Sequence, residues 1–310
     1  RTRWARYEAI PEIERLQVSG QTMRAVYLAR EAEPYAPEDV ARVRSTWLDF
    51  PLVTEPSGAK VEIRNYRDLT GPWETLGTSP LQGVRMPFGY YRVRITKPGY
   101  KAIEVSSAFG RTPVKLTRES DVAPGMVFVP GGRRGFGVAA EATLPDYWLD
   151  QLEVTNAAYK QFVDAGGYGD PKYWKHPFRD GASTLTFEAA MARFRDATGR
   201  QGPSTWELGS FPEGQADYPV AGISWFEAAA YAEFAGKSLP TVYHWFHAAG
   251  VDDPSSDILQ LSNFDGKGPV KAGERHGLGP WGTLDMAGNV KEWCANEAGE
   301  GLRYILGGGW

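Results

Sequence analysis

SWFEAAAYAEFAGKSLPT, residues 224–241, opens on Ser224 and carries Glu227 three positions later. That spacing is a reciprocal cap: the serine hydroxyl takes an amide of the first turn while the glutamate returns to the serine amide. The alanine-rich run that follows favours helix, and Gly236 supplies the left-handed residue that ends it. Thr241 can cap a second helix over VYHWFHAAG, but the third residue after it is His244, so the reciprocal carboxylate is absent. Two consecutive short helices are therefore expected here.

Working outward, GMVFVPGG (125–132) and YWLDQLEVT (147–155) read as strands, a helix follows Thr155, and the stretch from Gly166 to Pro219 is long and irregular. A second irregular stretch follows the helix pair. Strands and helices mixed with dominant loops predict an α+β domain. Toward the other end, Trp4, Tyr7, Ile10 and Ile13 recur every three residues, and Met23, Val26 and Tyr27 continue a helical spacing after Gly20. Pro34 and Pro37 close that second helix, and Val40, Val43 and Trp47 mark a third. A helical connector is the simplest reading, with a tetratricopeptide-like unit as the alternative. At Pro51 the pattern turns to short alternating strands, LVTEP, AKVEIRNY, YYRVRITK and KAIEVS, divided by turn formers. A small antiparallel domain is expected.

At 310 residues the chain exceeds the usual single domain. Its net charge of -4 and dispersed basic residues lack the footprint of a nucleic-acid binder. One cysteine, Cys294, permits neither an intrachain disulfide nor a multi-thiolate zinc cage, and beside a tryptophan it reads as a buried structural thiol. No long apolar run or basic leader is present, so no membrane segment is expected within the chain and its compartment stays open. Beginning at Arg1 and stopping inside the apolar phrase YILGGGW, the chain reads as a fragment of a larger protein.

Three local patterns invite sharper readings. His244 and His247 lie three apart, a spacing at which two imidazoles can share a metal, but no HExxH pattern or third ligand accompanies them. A packed His247 and an exposed His244 are expected instead. Gly236-Lys237-Ser238 resembles the end of a phosphate-binding loop, yet Tyr231 stands where that loop needs glycine. GGRRGFG (131–137) has no helix behind it and reads as a hairpin connection.

EPSGAKVEI, LGTSPL and FGYYRVRITKPGY resemble the PEGA family of small bacterial β-domains, with Pro56, Ser57, Gly58 and Ala59 matching its signature save one replacement. GMVFVPGG, LDQLEVTNAAYKQFV, YPVAGISWFEAAAYAEFAGKSLPT, DMAGNVKEWC and YILGGGW follow the order and approximate gaps of the formylglycine-generating enzyme family, also called the sulfatase-modifying factor family. The resemblances divide the chain into a helical connector (1–49), a PEGA-like β-domain (50–117) and a formylglycine-generating-enzyme-like domain (118–310) truncated at its C-terminus. They imply a C-type-lectin-like α+β fold with little regular secondary structure, preceded by the small antiparallel domain and the N-terminal helices.

Active members of the resembled family oxidise a substrate cysteine with copper held by two thiolates. Alignment on Gly307, Gly308, Gly309 and Trp310 places the first thiolate past Trp310. Copper is therefore implied only if cysteines follow. Gly309 stands where active enzymes carry serine, and Lys291 where they commonly carry tryptophan. Both departures favour a non-catalytic sensory or ligand-binding module of a larger bacterial protein, with a serine/threonine kinase as a known setting; no HRD or DFG motif occurs here. The alternative is a copper-dependent oxidase, or a related non-haem iron enzyme. An extracytoplasmic position within an envelope protein is compatible with the resemblance.

The resemblance further implies structural calcium through Asp285, Gly288, Val290 and Glu292, with a second site using Asn263, Phe264 and Asp265. Calcium accepts six to eight oxygens in flexible geometry, main-chain carbonyls included. If the module binds a ligand, the aromatic residues Tyr173, Trp174, Phe178, Trp206 and Phe211 are the expected groove, against a core role for each.

Overall fold

A computed structural model describes residues 1–106, 113–136, 139–181, 183–250 and 256–310. They divide into two compact units, Arg1–Pro124 with Pro280–Gly282, and Gly125–Gly279 with Thr283–Trp310.

In the first unit the helical periodicity becomes a run of α1 (Thr2–Trp4), a π-helical turn (Ala5–Ala9) and α2 (Ile10–Val18), followed by α3 (Thr22–Ala32) and α4 (Pro37–Arg44). The π turn sits just before Pro11, which has no amide hydrogen to donate and whose ring crowds the preceding turn. Four antiparallel strands, β1 (Lys60–Asn65), β2 (Glu74–Thr78), β3 (Tyr91–Thr96) and β4 (Ile103–Ser106), lie in the order β2-β1-β3-β4. β2 had no sequence signal because ETLGT offers one large apolar side chain and a glycine instead of an alternation. Val61, Ile63, Val93 and Ile95 pack into one core with Ile13, Val26 and Val40. The helices and the small sheet, read as separate segments at residue 49, thus share their apolar interior.

The second unit carries the expected α+β pattern. β5 (Met126–Val129) pairs antiparallel with β8 (Tyr147–Asp150), and β6 (Gly132–Phe136) pairs with β7 (Ala139–Leu144). GGRRGFG therefore does enter a hairpin, whose tip falls outside the described residues. α5 (Asn156–Asp164) starts at Thr155, whose hydroxyl accepts from Ala158 N. After a long irregular stretch that holds 3-10 turns at Gly167–Gly169 and Pro171–Tyr173, a short strand pair (Arg179–Asp180 with Ser183–Thr184) and the short α6 (Phe187–Met191) come α7 (Trp225–Phe234) and α8 (Val242–Ala249). Both bonds of the Ser224–Glu227 box are formed, and Gly236 ends the segment at φ 68°. The chain closes on a hairpin of β9 (Glu292–Gly299) and β10 (Leu302–Leu306). No described helix is long and apolar enough to cross a membrane.

Candidate functional site

The aromatic residues of the irregular stretch pack inward: Trp174 and Trp206, expected along a groove, are core side chains, and Phe211 packs partly buried beside them. Trp206 is 1% exposed, and its indole N–H donates to Asn156 Oδ1 at 2.9 Å. Trp174 is also buried, donating to Gly167 O at 2.9 Å and stacking on Phe194. Phe211 is half-buried edge-on against Trp206, and Tyr173 and Phe178 join the same cluster. An irregular backbone carries little regular hydrogen bonding, so large rings with satisfied N–H and O–H groups serve as its core.

The loop from Asp285 to Glu292 behaves differently. Asp285 and Asn289 adopt left-handed backbone (φ 58° and 61°), bending the chain twice within five residues. Gly288 lies between them because a Cβ there would stand 2.6 Å from the Asn263 carbonyl oxygen. Asn289 N donates to that carbonyl at 2.9 Å, tying the 263 and 288 segments together. The Asn289 side chain accepts from Val270 N (2.9 Å) and Asn263 Nδ2 (3.1 Å), and donates to Glu153 Oε2 (2.6 Å). Val290 N donates to Glu153 Oε1 at 3.0 Å.

Three carboxylates meet around this loop. Burial, then the charge of Glu292, then that of Asp285 push Glu153 up to about 9, against the pull of the Val290 and Asn289 bonds. Burial lifts Glu292 to about 7, with Asp285 adding to the rise and the 2.5 Å bond from Trp245 Nε1 opposing it. Part of the Glu292 residue remains accessible, but its carboxyl faces inward. Asp285 is also raised by burial, although Gly273 N donates to its Oδ2 at 2.5 Å. Asn263 is 1% exposed; its amide nitrogen donates to Gly268 O and Asn289, while its Oδ1 is buried without a partner.

The structure thus brings Asn263, Asp285, Gly288, Val290 and Glu292 into one loop cluster. Phe264 stands beside it, exposed at 46%. Asp265 turns to the surface, accepting from Lys267 N at 3.1 Å and from Arg275 at 2.8 Å. Glu153 lies within the LDQLEVTNAAYKQFV motif, two residues before the Thr155 cap, but nothing in the sequence pairs it with this loop. Asn289 reads from sequence as a turn residue, and proves also to bridge Glu153 and Asn263.

The sulfur and imidazole groups are arranged for structure. Cys294 is fully buried and its thiol is pushed up to about 12 by burial and then by Glu292; its carbonyl accepts from Trp225 Nε1 at 2.9 Å. His247 is buried with Nε2 at 2.9 Å from Pro130 O, as expected for a packed histidine. His244 is half-buried rather than exposed, with Nδ1 2.6 Å from Thr241 Oγ1. Among the described residues no group of three or more His, Cys, Asp or Glu side chains could hold a metal, so any cation at the loop would depend on main-chain and amide oxygens as well. A Cβ on Gly309 would find only ordinary contacts with Lys291 and Asn289, so packing does not demand the glycine that replaces serine.

Residues 112–310 match the sulfatase-modifying factor enzyme 1-like domain, and the chain belongs to that family. It is 28% identical over 204 residues to hercynine oxygenase of Mycolicibacterium smegmatis, covering 56% of this chain and 46% of that one. It is 30% identical over 218 residues to inactive C-alpha-formylglycine-generating enzyme 2 of Bos taurus, covering 58% of this chain and 71% of the relative. A third relative, serine/threonine-protein kinase pkn1 of Chlamydia caviae, is 30% identical over 189 residues, or 54% of this chain and 27% of the kinase. The chain thus spans about half of the first relative and about a quarter of the kinase.

Proposed function

We propose that this member of the sulfatase-modifying factor family is a binding module of a larger bacterial protein, built around a calcium-stabilised loop, and that residues 1–310 do not themselves oxidise cysteine. The observation that carries this reading is the pairing of a sealed thiol with an oxygen-rich loop. Cys294, the sole cysteine, has no solvent exposure and a thiol held near 12, whereas a copper centre needs two accessible thiolates. Copper does not fit these residues.

Calcium does. Asn263 Oδ1 is buried and unpartnered, and burial raises the proton affinity of Glu153, Asp285 and Glu292, with Glu292 and Asp285 adding to the rise at Glu153 and Asp285 to that at Glu292, where a divalent cation would offset the repulsion. At the first site Glu292 would supply a carboxylate and Asp285, Gly288 and Val290 main-chain oxygens; Asn263 and Phe264 belong to the second. Bound calcium would contribute fixed positive charge and rigidity. This chain's residues hold the loop: Asn289 bridges Glu153 and Asn263, and Trp245 orients Glu292. An inactive relative and a kinase relative support a non-catalytic role, and an oxygenase relative keeps the oxidase reading in view.

Titration of the chain with copper(I) against a chelator of known affinity tests the reading. Binding no tighter than that of Cys294→Ser is expected. Stoichiometric binding lost in Cys294→Ser, with oxidation of a cysteine-bearing peptide, would establish the oxidase.

A further inference from the structure

The two consecutive helices start on caps of different chemistry. On α7 the Glu227 carboxylate accepts from Ser224 N at 2.7 Å; on α8 the equivalent position holds an imidazole. His244 N donates to Thr241 Oγ1 at 3.3 Å, and His244 Nδ1 lies 2.6 Å from that hydroxyl. Having accepted the amide, the hydroxyl still has one proton to give, and when the ring tautomer leaves Nδ1 unprotonated that nitrogen is its acceptor. The ring is half-buried with Tyr147 edge-on at 4.6 Å, and Tyr147 Oη donates to the His244 carbonyl at 2.7 Å. A helix N-terminus is also the end at which a cation is least welcome.

This cap clamps the strand that leaves the acidic loop. Ala295 N donates to Pro240 O at 2.8 Å, and Val242 N donates to Asn296 Oδ1 at 2.9 Å, so the first turn of α8 is bonded to β9 from both directions. Among the described residues few titratable groups surround the ring. Tyr147 comes from β8; Tyr243 and His247 share its helix, His247 being bound to Pro130 O. On β9, Glu292 meets α8 at Trp245 and Glu297 pairs with Arg303. On the β6–β7 hairpin, Arg133 and Glu141 pair with each other at the surface.

We propose that Thr241 and His244 form an acid-sensitive latch: the neutral imidazole closes the first turn of α8 onto β9, and protonation of the ring opens it. A proton on Nδ1 displaces the threonine's own proton from its acceptor and places a cation at the positive end of the helix, in a partly dry site. Burial keeps His244 below the ordinary histidine value of 6.5 while the turn is closed. The closed state therefore has its full stability above 6.5 and loses it as pH falls toward the ring's lowered midpoint.

NMR titration of the His244 ring in the 310-residue chain, combined with amide exchange at His244 and Ala295, tests it. The expected result is a midpoint below 6.5, with opening of both amides rising by up to about tenfold per pH unit below 6.5. His244→Gln should abolish that dependence, and Thr241→Val should move the midpoint upward. A midpoint at or above 6.5 overturns the latch, as does the same acid-induced opening in His244→Gln. Should His244→Gln fail to fold, the wild-type titration and Thr241→Val decide: an unmoved midpoint in Thr241→Val also overturns it.

Discussion

Asp196 and Glu153 are both buried carboxylates of the second unit, 5% and 9% exposed, yet their proton affinities move in opposite directions. Burial alone would raise Asp196, but donation from Gly209 N, from the Thr198 hydroxyl and amide, and from Arg200 N outweighs it and holds the group at about 2. Glu153 receives two donors and faces two like charges, and is lifted to about 9. In the first region the buried Asp196 carboxylate and the Trp174 and Trp206 ring N–H groups all have their bonds. The second holds repelling acids and a partnerless amide oxygen. Unmet electrostatics, more than aromatic content, marks the candidate site.

The contrast can be broken most forcefully in the first region. Trp206→Ala should destabilise the second unit by about 3–5 kcal/mol, the usual cost of removing a buried indole, with Asn156 Oδ1 left unpaired. Urea unfolding measures it; near-wild-type stability would mean that the ring is not core. Asp196→Asn should cost about 1–3 kcal/mol, because one acceptor facing Gly209 N is replaced by a donor. The contribution of Asp196 is present above its ordinary value near 3.8 and is lost as pH falls toward 2, so the wild type and Asp196→Asn should converge in acid.

The acidic region should respond more weakly and with the opposite sign. A carboxyl raised from 4.5 to about 9 favours the folded state below 4.5 and loses that contribution as pH climbs toward 9; Glu292 adds the same trend up to about 7. Calcium-free protein should thus lose stability between pH 5 and 8. Glu153→Gln removes the titration at the cost of one acceptor for Asn289 Nδ2 or Val290 N, so it should lower stability at pH 7 by about 1 kcal/mol and flatten that decline. A wild-type profile in Glu153→Gln would assign the slope elsewhere.

The sequence carried the helix pair plainly, since Ser224, Glu227 and Gly236 act locally and the structure forms each of their bonds. The loop residues Asp285, Gly288, Val290 and Glu292 came from the family resemblance, and locally the sequence offers only the Gly288-Asn289 turn. Glu153 was illegible because its significance depends on Asn289 and Val290, brought beside it from 136 and 137 positions away. Trp206 looks alike in sequence whether it lines a groove or fills a core; only its bond to Asn156 decides. β2 escaped notice for want of apolar alternation, and the helices' shared core with the small sheet required knowledge of which faces meet.

Calcium titration followed by chemical unfolding at pH 7.5 tests the central claim most directly. The oxygen-rich loop predicts saturable stabilisation, about 2.7 kcal/mol at a hundredfold excess over the dissociation constant, reversed by chelator and lost in a folded Asn263→Leu, Glu292→Gln double variant. Identical unfolding curves with calcium and with chelator would contradict it.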